Sequence, residues 1–250
     1  MGEAKQRLYI GTSGWMYRHW KDGWYGDPPQ RKWLAFDAER FTGIEIDGTF
    51  YGSKPKPTFE KWAAEAPDGF KFAVRGHRYV THFRRLKNVA DSIKRVKESA
   101  EGLGDKLGPI LWQTRPDMEV DLDRLKSFAD DLEVWPRARH VLEFRNESWF
   151  TSEVCELLAD RRLAICISDG EGIPRWDEVS TDLAYIRLHG RPELYASDYG
   201  EKDLASWAKR IRSLPVREVH VYFDNDVSGH APHNALRLME LVKSPRPTRS

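Results

Sequence analysis

Cysteine is scarce in this chain of 250 residues, which contains only Cys155 and Cys166. Both stand among apolar neighbours, so we expect reduced core side chains and no disulfide, as is usual in a reducing compartment. An excess of one charge is also missing, because 40 Lys and Arg residues stand against 39 Asp and Glu residues. The whole molecule is therefore not predicted to attract polyanions, although a local basic patch is compatible with this balance.

Long apolar runs are absent as well. No segment approaches the ~18 consecutive apolar residues that a membrane span needs, and the start of the chain lacks the apolar stretch of a signal peptide. We therefore expect a soluble cytoplasmic protein without a membrane partner. The motifs GxGxxG, GxxxxGKS/T, HExxH and CxxC are missing too, so the sequence predicts neither a dinucleotide site nor an ATP site.

The chain does contain eight short β-type segments, and amphipathic helical patterns separate most of them. This order is typical of an α/β fold, the closed TIM-like (β/α)8 barrel, whose usual length is ~250 residues. We predict one such domain over residues 1–243 and a disordered tail over 244–250. The predicted strands are Leu8–Gly11, Gly43–Phe50, Phe70–Arg75, Pro109–Thr114, His140–Arg145, Leu163–Asp169, Leu183–Gly190 and Glu218–Asn225.

One crossover departs from this repeat. Regular spacings of apolar side chains predict helices in other crossovers, as from Val89 to Leu103 and from Leu122 to Leu132. The segment Glu171–Asp182, between the sixth and seventh strands, carries a proline and little periodicity. We therefore predict an irregular connection there and no helix.

Alternation of side chains along the strands predicts a polar barrel interior. In the fifth strand Leu142 suits the helix side, which turns Glu143 and Arg145 inward. An ordinary barrel is filled mainly by Val, Ile and Leu, so charges in this interior need partners or a ligand. The other side chains predicted to face inward are Glu45, Asp47, Lys71, Arg75, Leu111, Gln113, Tyr185, Arg187, His189, His220, Tyr222 and Asp224.

Chemical roles follow from these residue types. Glu143 or Glu45 is suited to general acid/base catalysis, and His189 is suited to carrying a proton or donating to a substrate. Arg145 and Arg187 are suited to holding an anion. The alternative is a buried network of ion pairs that only closes the barrel. The position of these residues favours a role in an active site over a purely structural one, because barrel enzymes place their active sites at the carboxyl ends of the strands.

Asp169, at the end of the sixth strand, is a further catalytic candidate. Together with Glu143 and His189 it also offers ligands for Mg²⁺, Mn²⁺ or Zn²⁺ at three consecutive strand ends. Arg145 and Arg187 lie two residues from two of these groups and compete for the carboxylates. We therefore predict no cofactor and keep a divalent metal as the alternative. The cations expected to neutralise Asp169 are Arg75, Arg145 and Arg187.

Two segments have the character of anion sites. Phe70–Ala90 contains no acidic residue and interleaves Tyr79 and Phe83 with cations, a pattern typical either of contact with phosphate or nucleic acid or of a solvated basic loop. Asn225–His230 leads into the last helix, where backbone amides often hold phosphate, although Asp226 weakens this interpretation. The cations of the first segment are Lys71, Arg75, His77, Arg78, His82, Arg84, Arg85 and Lys87.

Aromatic residues are abundant, with ten Trp, nine Tyr and eleven Phe. Trp15, Trp20, Trp24 and Tyr25 crowd the loop after the first strand. Such rings either cap the barrel mouth as packing or offer a stacking surface for a substrate.

Seven short strings follow one another in order between about Leu8 and Val242. They are Gly11-Thr12-Ser13-Gly14-Trp15, Glu45-Ile46-Asp47-Gly48-Thr49-Phe50-Tyr51, Thr81-His82, Leu107-Gly108-Pro109, Leu142-Glu143-Phe144-Arg145, Arg187-Leu188-His189-Gly190 and Tyr222-Phe223-Asp224-Asn225. With these strings the chain resembles the YecE-like family, the domain of unknown function numbered seventy-two. The resemblance implies a TIM-like barrel and leaves the reaction unspecified.

The resemblance also implies site residues. This chain departs from the family pattern at four positions, with Asp47 for Asn, Arg75 for Lys, Asn146 for His and Asp224 for Asn. Since Arg cannot form a Schiff base, covalent aldolase-type chemistry at position 75 is disfavoured. The residues of this chain that match the family's motif positions are Thr12, Ser13, Trp15, Glu45, Thr49, Tyr51, His82, Gln113, Glu143, Arg145, Trp149, Asp169, Arg187, His189, Tyr222 and Asn225.

Substrate contacts are expected from seven residues besides Arg145 and Arg187. We predict an enzyme that performs acid/base hydrolysis or isomerisation on an anionic substrate, either phosphorylated or derived from nucleic acid. One alternative is a carbohydrate-active enzyme with paired carboxylates, against which direct Glu–Arg pairing would count. Another is a nucleic-acid-binding protein without catalysis. The seven residues are Trp15, Tyr51, Arg75, His82, Gln113, Tyr222 and Asn225.

Overall fold

Eight parallel strands form the barrel in the computed structural model, which describes residues 6–243. The hydrogen-bonded order is β1-β8-β7-β6-β5-β4-β3-β2, and every paired neighbour is parallel. This confirms the predicted (β/α)8 fold; the predicted tail lies outside the described residues. The strands are β1 Arg7–Thr12, β2 Gly43–Ile46, β3 Lys71–Arg75, β4 Leu107–Gln113, β5 His140–Glu143, β6 Ala164–Gly170, β7 Leu183–Gly190 and β8 Glu218–Phe223.

Helices cover the outside of the barrel in all but one crossover. The residues between β6 and β7 form no regular helix, as predicted. Across residues 6–243, no helix has both the length and the apolar content to cross a bilayer. The α-helices are α1 Trp33–Ala38, α2 Lys56–Glu65, α3 Ala90–Ala100, α4 Leu122–Leu132, α5 Ser152–Asp160, α6 Glu201–Ser213 and α7 Ala231–Lys243.

Local caps determine where two of the helices begin. The Asp121 carboxylate accepts a hydrogen bond from the Arg124 amide at 2.9 Å at the start of α4. The Thr151 hydroxyl accepts from the Val154 amide at 3.3 Å at the start of α5. Each cap satisfies one of the backbone N–H groups that the first helical turn leaves without a partner.

Three strands end two or more residues earlier than predicted. Residues Asp47–Phe50 are not the end of β2 but a 3-10 turn. The Thr49 hydroxyl lies 2.8 Å from the Ile46 carbonyl and 2.6 Å from the Arg75 carbonyl, so a contact with the neighbouring strand holds this turn. Likewise β5 ends at Glu143 and β8 at Phe223. The charged residues that follow these strands therefore stand at the rim of the interior.

Two apolar cores flank the sheet. The larger core lies between the strands and the helices and includes Trp112, Phe128 and Ile186. A smaller one fills the lower barrel interior, and Cys166 belongs to it; both cysteines are free thiols. The members of the inner core are Ala73, Leu111, Val141, Ala164, Cys166, Leu183, Tyr185 and Tyr222. Above this apolar plug the interior is polar, while the buried pair His220–Glu218, 2.9 Å apart, lies at its lower end.

The seam between β1 and β2 closes the barrel. Here Ser13 and Glu45 form a single parallel bridge, and the Gly14 amide donates to the Glu45 carbonyl at 2.8 Å. A Cβ atom on Gly11 would lie 1.9 Å from the Gly43 carbonyl oxygen. The two strands approach this closely only because position 11 carries no side chain.

Replacing Gly11 by Ala should therefore force the seam apart. We expect Gly11→Ala to lower the free energy of unfolding by roughly 3 kcal/mol or to prevent folding, because backbone has to move. Urea denaturation measures the change. Gly23→Ala is the control, since a Cβ at Gly23 meets nothing within 4 Å. Equal stability of the two variants would contradict the seam argument.

Candidate functional site

A fully buried arginine lies at the centre of the upper barrel. Arg187 on β7 is 0 % exposed. Its Nη2 lies 2.8 Å from Oε1 of Glu45 and 3.0 Å from Oδ2 of Asp224, and its Nη1 lies 3.1 Å from Oε2 of Glu143. Burial of a guanidinium is costly unless carboxylates compensate it, and here three do so from different strands. We call Glu45, Glu143 and Arg187 the buried ion-pair layer.

Both glutamates of this layer are sealed from solvent. Glu45 accepts hydrogen bonds from the Ser13 hydroxyl and the Tyr185 hydroxyl, each at 2.5 Å. Glu143 accepts one from the Ser168 hydroxyl at 2.8 Å. Burial alone would raise the pKa of Glu143, but its arginine partners hold that pKa well below the usual range. Glu143 is therefore ionised at neutral pH.

The next layer outward is the mouth cluster, which we define as Asp47, Arg75, Arg145, His189 and Asp224. Arg75 forms an ion pair with Asp47. Arg145 lies 2.6 Å from Oε1 of Glu143 and so connects the cluster to the buried layer. Gln113 joins the two arginines, because its Oε1 accepts from Arg75 at 2.6 Å and from Arg145 at 3.3 Å.

His189 is held between two carboxylates. Its Nδ1 lies 2.8 Å from Oδ2 of Asp224, and its Nε2 lies 3.5 Å from Oε1 of Glu143 and 3.4 Å from Nη2 of Arg145. The ring of Tyr195 lies edge-on to His189 at 5.6 Å and covers it.

One side of the mouth is cationic. His82, in the loop after β3, has its pKa lowered to about 4 by burial and by Arg75, Arg115 and Arg145. Its imidazole is therefore neutral at physiological pH. This shift records a local positive potential on the side of the mouth formed by the loops after β3, β4 and β5.

The opposite side is anionic. Burial and the nearby carboxylate of Asp224 raise the pKa of Asp226 to about 6. Burial raises the pKa of the Tyr17 phenol, and the nearby carboxylates of Asp226, Asp224 and Asp47 raise it further. The mouth therefore has two halves of opposite charge, joined by the Asp47–Arg75 ion pair.

Two mouth carboxylates are shifted in opposite directions. Burial raises the pKa of Asp47, even though Arg75 opposes the shift. Burial acts the same way on Asp224, but Arg187 and His189 lower its pKa to about 2. The side chains of Asp47 and Asp224 remain 20 % and 14 % exposed. Separated pKa values in one site are the usual basis for separate acid and base roles.

Most of the predicted site residues meet at this end of the barrel. Glu45, Glu143 and Arg187 form the buried layer, while Arg75, Arg145, His189 and Gln113 line the mouth. Tyr51 and His82 lie on the rim, where the ring of Phe50 contacts both of theirs at 5.0 Å. Arg187 contacts three carboxylates and is sealed from solvent. It therefore belongs to the internal ion-pair network and is not placed to hold an anion from solution.

Asp169 is not part of this cluster, which corrects the expected pairing. Its strand neighbour Ser168 is the inward residue, and Asp169 turns to the outer side of β6. There its carboxylate contacts Arg191 at 3.0 Å, Arg175 at 3.4 Å and the Tyr199 hydroxyl at 3.0 Å. The reason is parity, since adjacent strand residues point to opposite faces.

Three residues that were predicted to contact a substrate are in contact with other residues of the protein. Tyr222 lies deeper in the barrel, with its hydroxyl 2.8 Å from Nδ1 of His220. Asn225 donates to the Asn234 side chain at 2.8 Å and to the Ser197 carbonyl at 2.9 Å, so it ties its loop to α7 and to the loop after β7. Trp15 is 6 % exposed and packs edge-on against a tryptophan of α2. Trp20 and Tyr25 are buried as well, which favours the packing interpretation for this loop.

Sequence reasoning left out several residues of the mouth. Asp47 and Asp224 were expected inside the barrel but not assigned a role, and the alternation of their strands was the signal for both. Arg115, Tyr195 and Asp226 belong to loops, where no periodicity indicates direction. Their position follows only from how the loops fold over the barrel.

The residues considered for a metal do not form a ligand set. Glu143 and His189 are near each other, but Asp169 lies on the other face of the sheet and pairs with arginines. Within the described part of the chain, no group of three or more His, Cys, Asp and Glu side chains is arranged to hold a metal ion. The structure therefore does not bring these three side chains together as ligands.

A closed parallel barrel with converging charged groups at the carboxyl ends of its strands defines a TIM-like barrel protein with its site at the mouth. Comparison with known families then specifies the group. The model of the family described as protein of unknown function DUF72 matches residues 9–249, and the chain belongs to that family. This confirms the resemblance carried by the seven sequence strings.

Similar proteins span the same length. The UPF0759 protein YunF of Bacillus subtilis is 26% identical over 272 residues, covering 94% of this chain and 94% of that protein. A DUF72 family structure from Thermotoga maritima has a TM-score of 0.83 at 24% identity, covering 96% of this chain and 100% of that one. One from Enterococcus faecalis has a TM-score of 0.82 at 18% identity, covering 95% and 96%. These likenesses support the barrel fold.

Removing the charge of Glu143 should destabilise the protein. Glu143→Gln leaves Arg145 and Arg187 undercompensated in a buried setting, so we expect the free energy of unfolding to fall by about 3 kcal/mol. Denaturant unfolding of the variant measures this loss. Glu147→Gln, at an exposed position of the same loop, is the control. A change no larger than that of the control would show that the network does not need Glu143.

Asp224 should contribute stability that depends on pH. Its folded pKa of about 2 lies below the ordinary 3.8, so the contribution is present above pH ~4 and is lost as the pH falls towards ~2. We expect Asp224→Asn to be about 2 kcal/mol less stable at neutral pH, and this difference to vanish near pH 2. Unfolding of both proteins across that range tests it. A difference that stays constant with pH would contradict the proposed shift.

Proposed function

We propose that this protein is an enzyme that performs acid/base hydrolysis or isomerisation on a phosphorylated, nucleic-acid-derived substrate at the mouth of the barrel. The observation that carries the proposal is the division of the mouth into a cationic and an anionic half around His189. A substrate with an anionic group and a reacting bond a few ångströms away matches such a division.

The cationic half is suited to the anionic group. Arg145 and Arg75 retain 9 % side-chain exposure each, and Arg115 lies nearby beside His82. Guanidinium groups bind phosphate through paired, charge-assisted hydrogen bonds. We assign the role of anion contact to Arg75 and Arg145, because Arg187 is sealed below them.

The anionic half is suited to proton transfer. Asp47 is partly exposed and its raised pKa favours a group that gains and loses a proton. Asp224 stays ionised, so it holds His189 by Nδ1 and offers negative charge to the reaction. Glu45 and Glu143 lie below these aspartates and act as the counter-charges of the arginines. Asp47 and Asp224 would thus take different roles because their surroundings differ.

The carbohydrate-active alternative is less well supported. A glycosidase needs two carboxyl groups that face open space on either side of a sugar bond. The two glutamates that suggested this alternative are buried, and each contacts an arginine directly. Their distance from solvent counts against contact with a sugar.

Turnover assays should separate these roles. We expect hydrolysis of at least one member of a panel of phosphomonoesters, phosphodiesters and short oligonucleotides. Asp47→Asn should lower kcat/KM for that substrate by ~10²-fold or more through loss of the proton-transferring group. Arg145→Met should chiefly raise KM, and free sulfate should inhibit the wild type more strongly than this variant.

Asp123→Asn serves as the matched control, because Asp123 is 97% exposed on a helix of the outer layer. It should retain full activity. Absence of turnover with every phosphorylated compound would overturn the proposal. So would an Asp47→Asn variant whose kcat/KM remains within about threefold of the wild type.

A further inference from the structure

Exposed apolar side chains are confined to one face of the molecule. Among residues 6–243, each large apolar side chain with substantial exposure lies in a loop that follows a strand, on the face that carries the mouth. Monomeric proteins rarely leave such surface uncovered without a binding role. These residues are Met16, Tyr51, Tyr79, Phe83, Val120, Tyr195 and Val227.

Three of them form an aromatic surface with an arginine between the rings. The guanidinium of Arg78 lies 5.8 Å from the ring of Tyr51 and 5.7 Å from that of Phe83. The rings of Tyr79 and Phe83 are 6.5 Å apart. Phe83 is 67% exposed and Tyr51 is 60% exposed. We call Tyr51, Arg78, Tyr79 and Phe83 the aromatic platform.

The platform is continuous with the mouth. The ring of Phe50 contacts the ring of Tyr51 at 5.0 Å, edge to face. The guanidinium of Arg75 lies 3.8 Å from the centre of the same Phe50 ring. One side chain, Phe50, therefore separates the platform from an arginine of the mouth.

Charge around the platform has one sign. The chain has no Asp or Glu between Asp68 and Asp91, and the side chains of Arg78, Arg84 and Lys87 are exposed within this stretch. Acidic side chains contact this loop away from the rings: Asp117 pairs with Arg85 at 3.2 Å, and Asp131 accepts from the Val89 amide at 2.7 Å. Exposed rings among exposed cations match a ligand with flat bases and a phosphate backbone.

The loop that carries the platform is held in one shape. Tyr79–Phe83 form a π-helical turn, a rare form that is frequent at functional sites. Arg85, Leu86 and Asn88 then have positive φ values of 49, 66 and 53 degrees, which is costly for residues other than glycine. Leu86 is completely buried and anchors the loop. A preorganised surface loses little conformational entropy when a ligand binds to it.

We propose that the aromatic platform binds single-stranded nucleic acid by stacking bases on Tyr51 and Phe83 and contacting phosphates through Arg78, and that it leads the strand into the mouth. This inference rests on the proposed function, since it names single-stranded nucleic acid as the substrate class of that site. A duplex hides the faces of its bases, so the platform should prefer the single strand.

Fluorescence anisotropy with a labelled oligothymidine of about 12 nucleotides tests binding directly. We expect the wild type to bind, and to bind more weakly at about 200 mM than at about 50 mM NaCl because phosphate contacts release counterions. Phe83→Ala and Tyr51→Ala should each weaken binding about fivefold or more through loss of stacking. A duplex of the same length should bind more weakly than the single strand.

Val227→Ala is the control for the rings, because it removes an exposed apolar side chain from another loop of the same face. It should bind within about twofold of the wild type. Both ring variants should keep wild-type unfolding curves, since their side chains are exposed. Arg78→Lys keeps the charge but loses the flat cation, so it should bind more weakly than the wild type.

Several results would overturn the inference. These are no binding at low salt, equal binding of duplex and single strand, ring variants that bind like the wild type, or binding to anionic phospholipid vesicles without binding to the oligonucleotide. If the wild type binds the oligonucleotide but turns over no phosphorylated compound, the proposed chemistry fails and the platform stands. If small phosphoesters are hydrolysed but oligonucleotides are not bound, only the platform fails.

Discussion

The structure depends on the compensation of one buried guanidinium. Arg187 projects from β7 into the place where an ordinary barrel carries aliphatic side chains, and it lies within ion-pair distance of carboxylates from β2, β5 and the end of β8. Because an uncompensated charge at that depth would cost several kcal/mol, the surrounding strands must supply acids. The polar upper barrel follows from that requirement.

The same compensation shapes the mouth. Asp224 contacts both Arg187 and His189, and Glu143 contacts both Arg187 and Arg145, so the buried charge positions the groups above it. Asp47 has only Arg75 as its direct partner and keeps a raised pKa. The contrast between the two aspartates is thus a product of how many cations each one meets. The site thus combines fully buried ion pairs with side chains that remain partly exposed at the mouth.

The loops after the strands differ in kind from the rest of the surface. They carry the exposed apolar side chains, the left-handed residues near position 86 and the rings beside Arg78. The helices, in contrast, present apolar faces to the sheet and charged faces to solvent, so their sequence is explained by packing alone. Features that packing does not explain are concentrated where the fold places its site.

The amino-acid sequence by itself determined the barrel, because strand alternation and helical periodicity are local properties that repeat eight times. It also determined that Glu143, Arg145 and His189 converge, since parity within a short strand needs no tertiary information. Alternation along β6 places Asp169 on the outer face with Ile165 and Ile167. Asp169 was misplaced because its position at a strand end, and not its parity, suggested a role in the site.

Only the tertiary structure decided the partners of each charge. The turn after β2 depends on a contact between Thr49 and the carbonyl of Arg75, which is distant in sequence. The pairs that hold Asp169 come from two loops, and the platform needs the loops after β2 and β3 side by side. Ion pairs and ring contacts join residues far apart in the chain, and their geometry exists only once the barrel has closed.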